Sequence, residues 1–219
     1  MPDYDFQSDQ RPFSRVLDDI GAKDDPKLYL GELVNAFGER GFGALMVFFG
    51  LINAIASPIP GSTTILGAPM LLICLQLLTR RDQLWMPKWA LGSSLPRDSY
   101  RATIDKVRKP LLLIEKLSRP RLSIMSSEVA EVLIGLVTTL LTIIVMLPLF
   151  GGNLFPSLFV ALFGFGLMQR DGVLIGLAWA GVAGFCVFVW AAWALISSLF
   201  LASAGWFLEA WQWIQGLFA

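Results

Sequence analysis

"GFGALMVFFGLINAIASPIPGSTTILGAPMLLICLQLLT", Gly41–Thr79, is a run of 39 residues without a charge, interrupted at its centre by Pro58, Pro60, Gly61 and the hydroxyls Ser62, Thr63 and Thr64. As continuous helix it would extend about 58 Å at 1.5 Å per residue, about twice the hydrocarbon core of a bilayer. The break therefore divides it into two arms, 41–56 and 62–79, each slightly short for a full crossing. Two geometries fit the break. It is either a tight turn at the far membrane face or irregular backbone within the bilayer, where protein or a watery cavity must satisfy its polar groups.

A second run repeats this plan. Residues 132–169 carry no charge and break at "LPLFGGNL", 147–154, giving arms 132–147 and 153–168. Pro58-x-x-Gly61 corresponds to Pro148-x-x-Gly151. Each run closes on an arginine-aspartate pair, in "RRD" at 80–82 and "QRD" at 169–171. The combination predicts an internal duplication of a helix–Pro/Gly break–helix unit. A third uncharged run, 172–208, is too long for one untilted span and is read as one or two C-terminal membrane helices. Its end merges into an aromatic tail, 206–219 (Trp206, Phe207, Trp211, Trp213, Phe218), suited to the membrane interface.

The composition agrees. Of 219 residues, 55% are hydrophobic and 16% charged, and the mean hydropathy is +0.64; soluble domains carry about 25% charged residues. The polar, acidic start, Met1–Asp25, lacks the pattern of a cleaved signal peptide. Histidine is absent and the two cysteines, Cys74 and Cys186, lie in apolar runs. No catalytic triad, metal cluster, phosphate loop or intramembrane carboxylate pair is present, so neither an enzyme, a metal site nor a cofactor is expected. Zero net charge gives no reason to expect nucleic-acid binding.

Between the first two runs lie eleven lysines and arginines in residues 80–127, which the positive-inside rule places in the cytoplasm. Within this loop, 110–125 reads as a short amphipathic helix with Leu113, Ile114 and Leu117 on one side. It lies either on an anionic membrane leaflet or on the protein's own cytoplasmic face. Residues 25–41 read as a second such helix. The expected organisation is 1–40, an acidic segment with an amphipathic helix; 41–82, the first membrane repeat; 83–130, the basic loop; 131–171, the second repeat; and 172–219, the C-terminal membrane segment.

The breaks are the candidate site. Helix starts expose amide donors and partial positive charge, which favour polar or anionic ligands, and broken-helix transporters place such ends near the midplane. The candidate ligand-binding residues are Asn53, Pro58, Pro60, Gly61, Ser62, Thr63 and Thr64 at the first break, with Gly151, Gly152 and Asn153 at the second. A plain turn requires the same Pro-Gly-hydroxyl chemistry.

Residues 57–89, "SPIPGSTTILGAPMLLICLQLLTRRDQLWMPKW", resemble the ExoD family of bacterial exopolysaccharide-synthesis proteins. The resemblance lies in the P-I-P-G element, Ile65–Pro69, the "LQLL" at 75–78 and the basic-Trp-Pro stretch through Trp89. "SRPRL" at 118–122 and the second apolar half extend it over roughly 25–205. It implies an inner-membrane protein of Gram-negative-type bacteria linked to surface polysaccharide and tolerance of alkaline conditions, and it transfers no catalytic residues. The helix pattern itself reads as an all-α, multi-pass membrane protein of four core helices from two repeats plus one or two C-terminal helices. The expected partners are membrane lipids and other exopolysaccharide synthesis or export proteins, with self-association as a further option. Two functions follow: a small transporter or handler of lipid-linked intermediates, or a non-catalytic structural or regulatory subunit.

Overall fold

The computed structural model describes residues 12–37, 41–59, 61–81, 84–118, 128–147 and 152–217. These residues are overwhelmingly helical, with one two-stranded sheet. The first compact unit extends to Trp179, and the second begins at Ala180.

The expected arms form nearly as read: α3 is Gly41–Ala56, α4 Ser62–Leu78, α7 Glu128–Met146 and α8 Leu154–Gln169. The pairing between them is not the obvious one. α3 packs most extensively on α8, and α4 on α7, more than either packs on its own hairpin partner. Glycines bring these helices together. A Cβ built on Gly43 would lie 2.6 Å from the Gly164 carbonyl oxygen, and one on Gly164 would lie 2.7 Å from that of Gly43. On the other pair, a Cβ on Gly135 would lie 2.6 Å from the Leu78 nitrogen. Without side chains at these positions, the helix backbones approach closely enough to pack directly on one another.

α4 and α8 end alike. Arg80 and Arg170 are the two non-glycine residues with positive φ among the described residues, both at 51°. At the first end, Arg81 N donates to Gln76 O and Arg80 N to Leu77 O; at the second, Asp171 N donates to Gly166 O and Arg170 N to Leu167 O. This is the Schellman pattern, with arginine where glycine is usual. Buried Asp171 then opens the next helix, its Oδ1 accepting from Val173 N at 3.0 Å.

At the end of the bundle opposite the breaks, the polar segments fold on one another. α1 (Phe13–Ala22) buries Phe13, Val16, Leu17 and Ile20, the spacing of one helix face. Residues 25–41, expected as one helix, instead begin as strand β1 (Lys27–Tyr29) and continue as α2 (Leu30–Phe37). β1 pairs antiparallel with β2 (Ser94–Pro96), Leu28 opposite Leu95. A short turn of helix, α5 (Lys88–Leu91), precedes β2. The amphipathic helix expected over 110–125 is the last part of a longer one, α6 (Arg97–Leu117). α6 buries Tyr100, Ile104, Val107 and Leu111 against the protein and leaves Leu112 and Leu113 exposed. Residues 119–125 of that expectation lie outside the described residues.

Arg97 centres this layer. It is 1% exposed, and its guanidinium donates to the carbonyls of Ile20, Asp25 and Lys27 and to Glu32 at 3.1 Å. Burial works to raise the Glu32 carboxyl, but Lys23 and Arg97 together hold it below its ordinary value. Burial, reinforced by the Asp18 carboxylate, pushes the Tyr100 phenol well above its ordinary value; its hydroxyl donates to Leu17 O at 2.9 Å.

The third uncharged run is a single helix, α9, Gly172–Leu217, of 46 residues. In the first unit it buries Ile175 and Ala178 and sets Trp179 edge-on to Phe163 at 5.4 Å. In the second unit its apolar side chains, among them Phe188, Trp190, Trp193 and Phe200, are exposed. The side chains of the aromatic tail from Trp206 lie outside the described residues. Val129–Met146 and Gly172–Leu201 are long and apolar enough to cross a membrane; α3, α4 and α8 are apolar but shorter.

Candidate functional site: a buried polar cluster beside the helix breaks

The two breaks meet at one end of the four-helix bundle. Asn153 Nδ2 donates to Thr63 Oγ1, Val145 O and Leu147 O, each at 2.9 Å, and Thr64 Oγ1 donates to Met146 O at 2.8 Å. The start of α4, the end of α7 and the start of α8 are thereby tied together. Both hairpins consequently point their turns the same way.

The hydroxyls of Ser62, Thr63 and Thr64 do not cap the free amides at the start of α4. Ser62 Oγ donates backwards to Ala56 O at 2.8 Å and Ile59 O at 2.7 Å, closing the turn through carbonyls left over by α3. Neither Gly61, the N-cap of α4 at φ 80°, nor Asn153, the N-cap of α8, caps its helix with a side-chain hydrogen bond. Pro58, Gly61, Thr64 and Gly152 are exposed, and Ser62 is half-buried. Pro60, Pro148 and Gly151 lie outside the described residues. Of the expected site residues, three are buried: Asn53, Thr63 and Asn153.

Two serines complete the cluster. The glycine contacts fix the antiparallel register of α3 on α8: Gly43 lies against Gly164 and Met168, and Gly50 against Ala161 and Ser157. Continued by one turn, that register sets Asn53 opposite Ser157 and Ser57 opposite Asn153. The stripe Gly43, Gly50, Asn53, Ser57 follows helical spacing on α3, as Asn153, Ser157, Ala161, Gly164 does on α8. Each helix thus brings an Asn-x-x-x-Ser element, N-A-I-A-S at 53–57 and N-L-F-P-S at 153–157, to the same crossing. Sequence reasoning passed over both serines; the repeated spacing was the signal available.

Four atoms here are buried without a hydrogen-bond partner: Asn53 Oδ1, Ser57 Oγ, Asn153 Oδ1 and Ser157 Oγ. A buried polar group left unpaired costs about 1–3 kcal/mol, so four at one helix crossing are kept against a stability cost. Gln76, by contrast, is fully used. Its amide donates to Leu72 O at 3.0 Å and Trp85 O at 2.7 Å, and its oxygen accepts from Trp85 N at 2.7 Å, clamping the chain beyond α4. Cys74 Sγ lies 3.5 Å from Thr142 Oγ1, a packed contact between α4 and α7.

The fold and its cluster define a helical protein with membrane-length apolar helices and a buried cluster of neutral polar side chains. The sequence profile described as "Exopolysaccharide synthesis, ExoD" matches residues 13–191, and the chain belongs to that family. It is 28% identical over 177 residues to Protein ExoD of Rhizobium meliloti, covering 78% of this chain and 73% of that protein. It is 30% identical over 168 residues to an uncharacterized protein of Synechocystis sp., covering 74% and 78% respectively. No solved structure matches the chain. Membership implies involvement in exopolysaccharide synthesis.

Proposed function

We propose that this protein is a multi-pass inner-membrane protein that binds a small polar ligand beside its paired helix breaks, as a transporter or handler of lipid-linked intermediates in exopolysaccharide synthesis or export. The observation that carries the reading is the set of four unpartnered oxygens at the α3–α8 crossing. A turn alone has no use for buried Asn53 and Ser157, and evolution toward stability alone would replace them by apolar residues.

In this reading 41–82 and 131–171 are duplicated copies related by a two-fold axis along the membrane normal, and 172–219 is the C-terminal membrane segment. The support is positional. Thr63 and Asn153, Arg80 and Arg170, and Pro58 and Pro148 are each 90 positions apart. Thr63 and Asn153 touch, as equivalent residues on an axis would. The exchange of partners, α3 with α8 and α4 with α7, is what such an axis generates. The basic loop 80–127 is cytoplasmic, and the breaks then face the opposite side. The alternative, a non-catalytic subunit of a synthesis or export complex, draws on the exposed aromatic surface of the second unit.

The test is complementation. In a bacterium lacking its own family member, the Ser57→Ala/Ser157→Ala double variant and Asn53→Leu should reach the membrane at normal abundance and fail to restore exopolysaccharide. Full restoration by both would remove the site and leave the subunit reading.

A further inference from the structure

The four unpartnered atoms have a chemical bias. Asn153 must point its NH2 at Thr63, Val145 O and Leu147 O, because the flipped amide would set oxygen against carbonyl oxygens. The Asn53 NH2 is committed to Phe49 O at 2.9 Å and Met70 Sδ at 3.6 Å. What remains is two amide oxygens, which only accept, and two serine hydroxyls. Each serine hydroxyl carries two lone pairs and one rotatable proton, and neither Ser57 nor Ser157 has a protein partner for it. The cluster then offers lone pairs on all four oxygens, and its only donors are two hydroxyl protons that can rotate away from a bound cation.

We infer that this quartet, Asn53, Ser57, Asn153 and Ser157, holds a dehydrated monovalent cation of sodium or potassium size; the inference rests on the site reading above and names its ligand. An anion would face acceptor oxygens. The dipoles of the α4 and α8 starts favour an anion, but the ends of α3 and α7 lie at the same level and offset them. A divalent ion calls for carboxylates, and among the described residues no group of three acidic, cysteine or histidine side chains is positioned to hold a metal. Neutral oxygens replacing a hydration shell are the donor set by which membrane proteins hold monovalent ions. Broken-helix transporters place coupling ions beside such breaks. The ion would give the proposed transporter a coupling partner.

The experiment uses the full chain, purified in detergent micelles, with sodium, potassium or choline chloride at equal ionic strength. Readouts are the unfolding midpoint and equilibrium binding of radioactive sodium. The midpoint is expected to rise saturably with sodium or potassium and not with choline. Ser57→Ala/Ser157→Ala is expected to weaken that response at least about tenfold, as loss of ligands does, while unfolding no earlier than wild type in choline. A midpoint that is the same in all three salts, with no sodium bound, overturns the ion and leaves the four oxygens to water or another donor. A saturable response unchanged in the double variant and in Asn53→Leu also overturns it, because the ion then sits elsewhere. The two readings fail separately. A double variant that loses the ion response yet restores exopolysaccharide keeps the ion and removes the functional site; a wild type without the response whose variants lose exopolysaccharide does the reverse.

Discussion

Gly43 and Gly164 offer the sharpest test of the α3–α8 crossing. In Gly43→Ala the new methyl would sit 2.6 Å from the Gly164 carbonyl oxygen and 3.0 Å from both Cβ and N of Met168. In Gly164→Ala it would sit 2.6 Å from Met46 Cβ and 2.7 Å from the Gly43 carbonyl oxygen. These neighbours are backbone or Cβ atoms that cannot swing aside, so the helices themselves must separate. Overpacking of this kind costs about 1–3 kcal/mol, and each variant should fall in the upper half of that range. Both strain one contact, so the double variant should be less destabilised than the sum of the singles, with a coupling of about 1 kcal/mol or more. Gly184 is the control, because a Cβ there meets nothing within 4 Å. Gly184→Ala should stabilise by about 0.5–1 kcal/mol through helix propensity. Reversible unfolding in mixed micelles, by titration with a denaturing detergent, measures all four. If Gly43→Ala behaves like Gly184→Ala, α3 and α8 do not meet at this register, and the clustering of Asn53, Ser57, Asn153 and Ser157 falls with it.

Arg97→Lys should destabilise by about 3–5 kcal/mol in the same assay, because an ammonium cannot reproduce the planar fork that reaches three carbonyls and Glu32 from a buried position. Arg170→Gly should stabilise by about 0.5–1 kcal/mol, since a left-handed arginine at φ 51° gives up backbone strain that glycine does not carry; unchanged or lower stability would point to a role for its side chain. For pH, the Glu32 carboxyl is held below its ordinary value of 4.5, so its contribution is present above that value and is lost as the pH falls beneath it. Tyr100 is raised above 10.0, so its contribution holds below pH 10 and declines as alkali deprotonates the unfolded phenol first. Tyr100→Phe should flatten the alkaline limb of an unfolding-midpoint profile, and Glu32→Gln the acid limb. A reporter fused near Lys109 should read as cytoplasmic, and a periplasmic reading would reverse the orientation.

Local chemistry determined much of this protein from the sequence alone. The charge-free runs and their Pro-Gly breaks marked α3, α4 and α8 to within a residue or two, because hydrophobicity and helix breaking act on the segment that carries them. The family was legible for the same reason, in a contiguous stretch around 57–89. Only the tertiary structure decided which helix each arm meets. Partner choice depends on glycines far apart in the chain, Gly43 with Gly164 and Gly135 with Leu78, whose close approach exists only after folding. The same holds for Leu28, which alternates too briefly to announce a strand and becomes one by pairing with Leu95. Ser57 and Ser157 are the clearest case. Each is an ordinary small polar residue in its own helix, and each acquires meaning from an asparagine on the facing helix, at a register that packing sets and local sequence does not contain.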